Sequence, residues 1–213
     1  MELAPRIVKV APAAAPYAGE LVRQCAEAGI LDTVRRFSMF LGQVHVESGG
    51  FAKVVESLNY SATALKKLFG RRRISLADAD KFGRTAERPA VQSALANILY
   101  GGPFGREQLG NTEPGDGWRF RGRGLKQLTG RDNYRRFSRA WLGDESLLDF
   151  PDRVADPDGA VASAVWFWAS KGLNGVADRG TVADVTRIVN GGTIGLTDRE
   201  TWTQTYRTAL TGD

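Results

Sequence analysis

The 213-residue chain is poor in cysteine and histidine, with one residue of each. The single cysteine, Cys25, excludes an intramolecular disulfide, and its place on the apolar stripe of a predicted helix favours a small buried hydrophobe. One histidine and one cysteine do not supply the ligands of a zinc site. No apolar run in the sequence is long enough to span a membrane. We therefore expect no metal, no cofactor and no stable membrane insertion.

The first residues also lack the pattern of a secretory signal, which is a basic start followed by a long apolar run. Residues 1–14 are rich in proline and alanine and indicate a lead-in to the helical part of the chain. The total length fits one domain. We expect a single domain over residues 1–213, with no separate binding module and no signal peptide.

Positive charge exceeds negative charge, with 29 lysines and arginines against 24 aspartates and glutamates, a formal net charge of +5. Such a balance suits nucleic acid, anionic lipid or another polyanion. The run Arg71-Arg72-Arg73 and the arginines between 119 and 139 are compatible with a binding protein. Arginine runs are more often solvated faces, however. Charge alone leaves these alternatives open.

Helical periodicity dominates the chain, so the predicted fold class is mainly α. Capping patterns predict helices that begin near Asp32, Ser61, Ser75, Pro89, Thr181 and Thr197. The helix after Asp156-Pro157 is apolar nearly all round, which is typical of a central buried helix. The stretch 101–131 is rich in glycine and has no helical period, which predicts a long loop with a short β-hairpin.

Glu47 is the most informative candidate for chemistry. It lies three residues after Val44 and seven after Phe40, and therefore on the apolar face of its helix. It also lies in the last turn, at the negative end of the helix dipole, before Gly49-Gly50. Burial and the dipole both raise the pKa of a carboxyl group, and a carboxyl protonated near neutral pH suits general-acid catalysis. The alternative is a glutamate turned out to solvent at a frayed helix end.

Glu56 follows nine residues after Glu47, beyond the two glycines. Hydrolysis of a glycosidic bond uses two carboxyl groups, one to protonate the leaving oxygen and one to activate water or attack directly. A separation of about 6.5–9.5 Å is typical of inversion and about 5–5.5 Å of retention. By itself, Glu56 is better explained as an ordinary surface glutamate.

Two further segments carry polar side chains that suit a sugar. In the run from Gly122 to Gly130, Gln127 and Thr129 alternate with an intervening leucine, so on an extended strand they share one face. Asn190 precedes two glycines at a predicted helix end, where its amide could point toward a ligand. The structural alternatives are a solvent-facing hairpin and an ordinary helix cap.

These segments resemble, in order, family 19 of the glycoside hydrolases, which comprises plant-type chitinases and related phage endolysins. The matching segments are HVESGGF at 45–51, ESLNYS at 56–61, WRFRGRG at 118–124, QLTGRDNY at 127–134, WFW at 166–168 and IVNGG at 188–192. The ESLNYS segment is similar to the endolysin branch. The resemblance covers roughly residues 35–206, and the shared order makes it specific.

The resemblance implies a two-lobed, mostly helical, lysozyme-like fold with a small β-hairpin beside a substrate groove. It assigns Glu47 as the acid and Glu56 as the base of an inverting reaction. The remaining residues that it places on the sugar or the catalytic water are Gln127, Thr129, Asn133, Asn190 and Tyr60. Arg199 is similar in position to a substrate-groove arginine that the family has near its second carboxylate. Classical chitinases carry their second glutamate farther along, in a disulfide-stabilised loop that this chain lacks. Glu113 and Asp116 are therefore further candidates for the second carboxylate.

The function that the resemblance implies is a monomeric muramidase-type endolysin. Its partner is peptidoglycan rather than nucleic acid, and it cleaves the β-1,4 bond between N-acetylmuramic acid and N-acetylglucosamine. A compact form without disulfides fits a protein made in the bacterial host cytoplasm and active on the cell wall. The alternatives are a chitinase and a non-catalytic protein that binds cell wall or nucleic acid. No residue pattern in the sequence indicates recognition of the lactyl group that distinguishes peptidoglycan from chitin.

Overall fold

The computed structural model describes residues 2–212, and most of these residues are helical. In chain order the α-helices are α1 Leu3–Val10, α2 Ala18–Glu27, α3 Val34–Glu47, α4 Ala62–Leu68, α5 Leu76–Phe82, α6 Gln92–Leu99, α7 Gly102–Phe104, α8 Asp116–Arg119, α9 Arg131–Leu142, α10 Pro157–Ser170, α11 Leu173–Arg179, α12 Val182–Asn190 and α13 Leu196–Thr211. Short 3₁₀ turns cover Pro12–Ala14, Ser146–Leu148 and Pro151–Ala155, and Gly105–Leu109 is π-helical. The mainly α prediction is confirmed.

The predicted β-hairpin is not confirmed. Within residues 2–212 the structure contains isolated β-bridges, such as the antiparallel pair of Arg123 and Leu128. It contains no β-strand of more than one residue in this range. The stretch 101–131 also contains short helices, so it is less irregular than its glycine content suggests. None of the helices in the described part of the chain combines the length and apolar character that a membrane span needs.

The chain divides into two compact units. The first unit comprises residues 2–54, 124–127 and 152–212 of the described chain, and the second comprises 55–123 and 128–151. The positive charge is unevenly divided between them. The sequence of the second unit holds 16 lysines and arginines against 11 aspartates and glutamates, whereas the rest of the chain holds 13 of each. The formal net charge of +5 therefore belongs to the second unit.

The first unit is built around the pairing of α3 with α13. Gly42 lies where the two helices approach most closely, since a Cβ there would meet the hydroxyl of Thr203 at 2.4 Å and its backbone nitrogen at 2.9 Å. Helix α10 is buried from Gly159 to Ala164 and again at Trp168, in agreement with the predicted central helix, and Trp168 packs edge-on against Phe40. Cys25 is fully buried in the same core. This packing fixes the end of α3, where Glu47 lies.

The second unit has its own core, formed by α4, α5, α6 and neighbouring aromatic side chains. Leu58, Leu65, Leu95 and Leu99 are completely buried in it. A buried arginine, Arg123, adds polar support by donating hydrogen bonds to backbone carbonyls and to the hydroxyl of a tyrosine on α9. Because Leu58 is one of these core residues, the core also anchors the segment near the start of this unit.

Several predicted helix starts need correction, although the helices themselves exist. Thr33, not Asp32, caps α3, because its hydroxyl accepts from the third residue of the helix. Helix α6 begins three residues after Pro89. Helix α13 begins before Thr197, because Gly195 adopts a φ of 70° that turns the chain into the helix directly. The caps at Ser61 and Ser75 and the capping box at Thr181 are as predicted.

The first residues form more structure than their proline and alanine content suggests. Leu3–Val10 is a helix, and Ile7 on its inner face is completely buried in the core of the first unit. Pro12–Ala14 continues as a single 3₁₀ turn, and Ala14 is also buried. The segment predicted as a lead-in is therefore part of the packed first unit.

Candidate active site

Glu47 is the last residue of α3, and its side chain is 15% exposed. Both carboxylate oxygens are engaged by cations. The Arg199 guanidinium donates to Oε1 at 2.5 Å, and the Lys126 ammonium donates to Oε2 at 2.8 Å. Three segments that are distant in sequence therefore meet at this carboxylate.

Arg199 contacts Glu47, the first carboxylate, although the resemblance places its counterpart near the second, and further hydrogen bonds hold the guanidinium in place. It lies on α13, is 3% exposed, and donates its second terminal nitrogen to Gln43 Oε1 at 2.7 Å. The amide of Gln43 in turn donates to the hydroxyl of Thr186 on α12 at 3.0 Å. This chain of buried hydrogen bonds joins three helices and fixes the guanidinium against Glu47, because every donor has a defined acceptor.

Lys126 comes from the short segment 124–127, which returns to the first unit between two stretches of the second. Gly124 adopts a φ of 77°, and a Cβ there would meet the Ser163 hydroxyl at 2.3 Å, so only glycine lets the segment lie this close to α10. Leu125 is fully buried and donates its backbone N–H to the Ala160 carbonyl at 3.3 Å. The backbone that carries Lys126 is therefore anchored.

The surroundings of Glu47 correct one expectation. The sequence predicted an apolar helix face that disfavours a charged carboxylate. The structure instead places a guanidinium and an ammonium on the two oxygens, so the surroundings of the carboxylate are charged and not apolar. Sequence periodicity gave the position of Glu47 on its helix, but it could not reveal partners 79 and 152 residues away.

His45, two residues before Glu47 on α3, is anchored by aromatic side chains. His45 is 9% exposed, its Nδ1 lies 2.9 Å from the Tyr206 hydroxyl, and its ring stacks on Trp202 at 3.7 Å between centroids. Burial lowers the pKa of His45 below its ordinary value. These contacts bind the end of α3 to α13, so they fix the backbone from which Glu47 projects.

Glu56 lies in the second unit and is also held at both oxygens, but by neutral donors. The Gly122 backbone N–H donates to Oε1 at 2.5 Å, and the Tyr100 hydroxyl donates to Oε2 at 2.6 Å. Burial, and then the charge of Glu56, raise the pKa of Tyr100 well above its ordinary value, so its hydroxyl remains a donor. The two donors fix the orientation of the Glu56 carboxylate. This arrangement suits a base.

The other predicted residues of the second unit are Tyr60, Thr129 and Asn133. Asn133 donates its amide to the Thr129 carbonyl at 2.8 Å, which joins the start of α9 to the segment before it. Tyr60 packs edge-on against Phe69 in the core of this unit. All three are partly exposed, so their side chains have access to solvent.

Gln127 does not share a strand face with Thr129, contrary to the sequence prediction. It adopts a φ of 57° in a turn, and the two residues belong to different units. The amide of Gln127 donates to the carbonyls of Gly124 at 3.0 Å and Lys53 at 3.3 Å. The alternating pattern was wrong because a left-handed residue interrupts the extended chain before any strand forms.

Asn190 ends α12 in the first unit, followed by Gly191 in the left-handed conformation, as the predicted cap requires. Its amide nitrogen is buried and has no hydrogen-bond partner within residues 2–212. Buried amide donors normally have an acceptor, so this nitrogen is an exception within the described residues.

The two further candidates for a second carboxylate differ from Glu56. Asp116 is 2% exposed and is bound through both oxygens by Arg131, at 2.6 and 2.8 Å, which makes it a structural ion pair. Glu113 is exposed and lies beside a cavity of about 410 Å³ within the second unit. Neither has the pair of neutral donors found at Glu56. No cluster of metal-ligating side chains occurs in the described chain, residues 2–212.

The sequence missed two residues that contact the candidate carboxylates. Lys126 lies inside the GRGLKQLTG segment, but nothing in its spacing indicates a carboxylate partner. Tyr100 follows the apolar stripe of α6 and was unremarkable as a helix-end residue. Both contacts depend on chain segments that fold back from a distance, so local sequence carries no signal for them.

Comparison with known sequences finds a relative of substantial identity. A family 19 glycosyl hydrolase domain-containing protein from Haemophilus influenzae is 38% identical over 176 residues, which cover 83% of this chain and 80% of the relative. No family model matches the chain.

Several solved chitinases share the fold. Chitinase C from Streptomyces griseus matches 97% of this chain and 75% of its own at 17% identity and a TM-score of 0.60. A bacterial family 19 chitinase matches 95% and 93% at 20% identity and a TM-score of 0.58. A class IV chitinase from Zea mays matches 91% and 79% at 18% identity and a TM-score of 0.54. These likenesses show the fold, and the relative from Haemophilus influenzae shows that the chain belongs to family 19 of the glycoside hydrolases.

Proposed function

We propose that the protein is a muramidase-type endolysin that hydrolyses the β-1,4 bond between N-acetylmuramic acid and N-acetylglucosamine in peptidoglycan. The observation that carries the proposal is the carboxylate of Glu47, fixed at a helix end by Arg199 and Lys126. Membership of a glycoside hydrolase family supports a polysaccharide substrate and hydrolytic chemistry. Anchored carboxyl groups are what that chemistry requires.

In the proposed reaction Glu47 takes a proton from solvent and donates it to the glycosidic oxygen as the bond to the anomeric carbon breaks. Glu56 removes a proton from a water molecule, and the water oxygen forms the new bond to that carbon. The reaction ends with Glu47 ionised and Glu56 protonated, and exchange with solvent restores both. The hydrogen bonds from Tyr100 and Gly122 hold the Glu56 carboxylate in a fixed orientation for this step.

The remaining site residues are proposed to bind substrate or water. Thr129 orients the attacking water, since its side chain is partly exposed. Gln127, Asn133, Asn190 and Tyr60 contact the sugars, and the unpartnered amide of Asn190 supports this role most directly. Arg199 acts on the reaction through Glu47.

The charge distribution favours a wall polymer over chitin. Chitin is neutral, whereas cell walls carry carboxylates and phosphates, and the positive charge of the chain is concentrated in the second unit. Lys67, Arg71 and Arg72 are exposed there. The chitinase alternative is supported by the shared fold of the solved chitinases. We place the proposed monomer on the cell wall after synthesis in the bacterial host cytoplasm.

The test of substrate is a direct comparison of purified peptidoglycan with chitin, with products identified by mass spectrometry. Fragments ending in reducing N-acetylmuramic acid are the expected result. New reducing ends on chitin alone would replace the endolysin proposal by the chitinase.

The test of wall attraction is the salt dependence of binding to cell-wall sacculi. Binding should weaken with rising salt and should weaken further in an Arg71→Glu, Arg72→Glu double variant, with turnover of short soluble fragments unchanged. Salt-independent binding would remove charge as the source of attraction.

A further inference from the structure

A polar cavity of about 410 Å³ lies within the second unit, beside the end of α6. Its volume falls in the range of pockets that bind small ligands, about 300–1,000 Å³. The polar side chains that line it are Asn97, Arg106, Asn111, Thr112, Glu113 and Asp116. The proposed reaction uses none of these residues, so the cavity is open to a separate role.

Glycines set the shape of this cavity. Gly101 and Gly117 lie so close to α6 that a Cβ on either would overlap a backbone carbonyl oxygen of that helix. A Cβ at Gly102 or Gly115 would meet no atom of residues 2–212 within 4 Å, so the space beside these two lining residues is open. Backbone packing rather than mobile side chains therefore shapes the cavity, and it is formed before a ligand arrives.

Two exposed side chains of opposite charge line the cavity, Arg106 and Glu113. Within residues 2–212 neither takes part in an ion pair, and the Glu113 carboxylate accepts one long hydrogen bond, from the Thr112 hydroxyl at 3.5 Å. The third charge of the lining, Asp116, is compensated by Arg131. A guanidinium and a carboxylate therefore remain for a ligand that carries both signs of charge.

The backbone fixes the points from which these two side chains project. The backbone N–H of Glu113 donates to Asp116 Oδ2 at 3.0 Å. Arg106 lies on the π-helical turn Gly105–Leu109, a kind of turn that is frequent at functional sites. The backbone N–H of Asn111 donates to the Gly105 carbonyl at 2.9 Å and closes this turn.

The same framework holds the proposed base. Tyr100 donates its hydroxyl to Glu56, and its backbone carbonyl accepts from the Asn111 side-chain amide at 2.9 Å. Asn111 is one of the lining residues. The cavity and the carboxylate of Glu56 are therefore joined through one tyrosine of the second unit.

We propose that this cavity binds the peptide stem of peptidoglycan, with Arg106 on a stem carboxylate and Glu113 on a stem amine. The stem is attached to the lactyl group of N-acetylmuramic acid, beside the bond that is cleaved. It carries carboxylates and, at its diamino acid, an amine. A guanidinium can bind a carboxylate through two parallel hydrogen bonds. Chitin has no peptide, so the cavity distinguishes the two polymers. The inference rests on the proposed function.

Asn97 completes the set of groups that a peptide would meet. Its side-chain oxygen accepts from the Trp118 backbone N–H at 2.8 Å, which orients the amide. The side chain is exposed and lines the cavity. Its N–H groups are therefore donors for a peptide carbonyl.

The test compares soluble glycan strands that keep their peptide stems with the same strands stripped of peptide by an amidase. The wild type should cleave the peptide-bearing strands with a kcat/KM about fivefold higher or more, the effect of one exposed charge pair. Arg106→Gln should raise KM on these strands about fivefold with kcat unchanged, and should cleave the stripped strands as the wild type does. Arg84→Gln is the matched control, at an exposed arginine of the same unit outside the cavity.

Glu113→Gln provides a second variant and should raise KM on the peptide-bearing strands by a similar factor. Its control is Glu107→Gln, at an exposed glutamate that does not line the cavity. Loss of cleavage of both kinds of strand in Glu113→Gln would make Glu113 the second carboxylate of the reaction and would overturn its role in binding the stem.

Binding is measured directly by nuclear magnetic resonance titration with the peptide N-acetyl-L-alanyl-γ-D-glutamyl-L-lysine. The backbone amide signals of residues 111–117 should shift with the peptide in the wild type and shift less in Arg106→Gln. Shifts of these signals with N-acetylglucosamine oligomers instead would make the cavity a sugar site and overturn the inference.

The outcomes separate this inference from the proposed function. Equal kcat/KM of the wild type on peptide-bearing and stripped strands would overturn the role of the cavity and leave the proposed function intact. A wild type that cleaves neither kind of strand would overturn the proposed function itself.

Discussion

Replacing Arg199 by methionine tests the buried network that holds Glu47. The change removes two charge-assisted hydrogen bonds, to Glu47 at 2.5 Å and to Gln43 at 2.7 Å, from a residue that is 3% exposed. Such bonds contribute about 1.5–3 kcal/mol each. Removing one partner of a buried ion pair costs about 3–5 kcal/mol. Because the Lys126 ammonium still compensates the charge of Glu47, we expect the free energy of unfolding to fall by about 3 kcal/mol, the lower end of the range for a broken buried ion pair.

The assay is urea unfolding followed by both tryptophan fluorescence and far-ultraviolet circular dichroism, whose coincidence shows a single transition. Arg207→Met, at an exposed arginine on the same helix, is the control and should change stability by less than about 0.5 kcal/mol. Adding Glu47→Gln to Arg199→Met should cost less stability than Glu47→Gln costs in the wild type, because the two residues share one ion pair. A loss below about 1 kcal/mol in the single variant would refute the network as the anchor of Glu47.

Three further perturbations test other parts of the molecule. Tyr100→Phe removes one of the two donors to Glu56 and should lower kcat about tenfold or more with little change in KM, whereas an unchanged kcat would show that this hydroxyl does not support catalysis. Gly42→Val forces a side chain onto Thr203 at the α3–α13 crossing and should destabilise the protein by about 1–3 kcal/mol in thermal unfolding, and a neutral effect would contradict the close approach. Burial lowers the pKa of His45 in the folded state, so the unfolded state binds the proton more readily. The free energy of unfolding should therefore fall as the pH drops below about 6.5. His45→Gln should flatten that fall, and an equally steep fall in the variant would exclude His45 as its source.

The sequence predicted the fold where local signals were strong. The all-round apolar α10 and the capping box at Thr181 depend on neighbouring residues alone, and both are confirmed. The start of α13 was misplaced because Thr197 and Glu200 imitate a capping box, while Gly195 turns the chain two residues earlier. The helix Leu3–Val10 was not predicted, because the N-terminal segment is rich in proline and alanine and Ile7 is the buried residue of this helix.

The candidate site was only partly predictable for a related reason. Periodicity places Glu47 at the end of a helix, and the structure confirms that position. Its ionic partners Lys126 and Arg199 are brought by segments far away in the chain, so the predicted apolar surroundings were wrong. The hydrogen bond from Tyr100 to Glu56 spans 44 residues and is equally invisible to local sequence. Side-chain roles of this kind follow from tertiary packing rather than from spacing.

The role of Glu47 as the acid is tested most directly by the hydrolysis rate of Glu47→Gln on purified peptidoglycan. The glutamine keeps the size of the side chain and can still accept one hydrogen bond, but it cannot donate the proton that the leaving oxygen needs. Glu200→Gln, at an exposed glutamate of the same unit, serves as the matched control. The expected result is a loss of about 10²–10⁴-fold or more in Glu47→Gln with the control unaffected. A Glu47→Gln rate within a few-fold of the wild type would contradict the assignment.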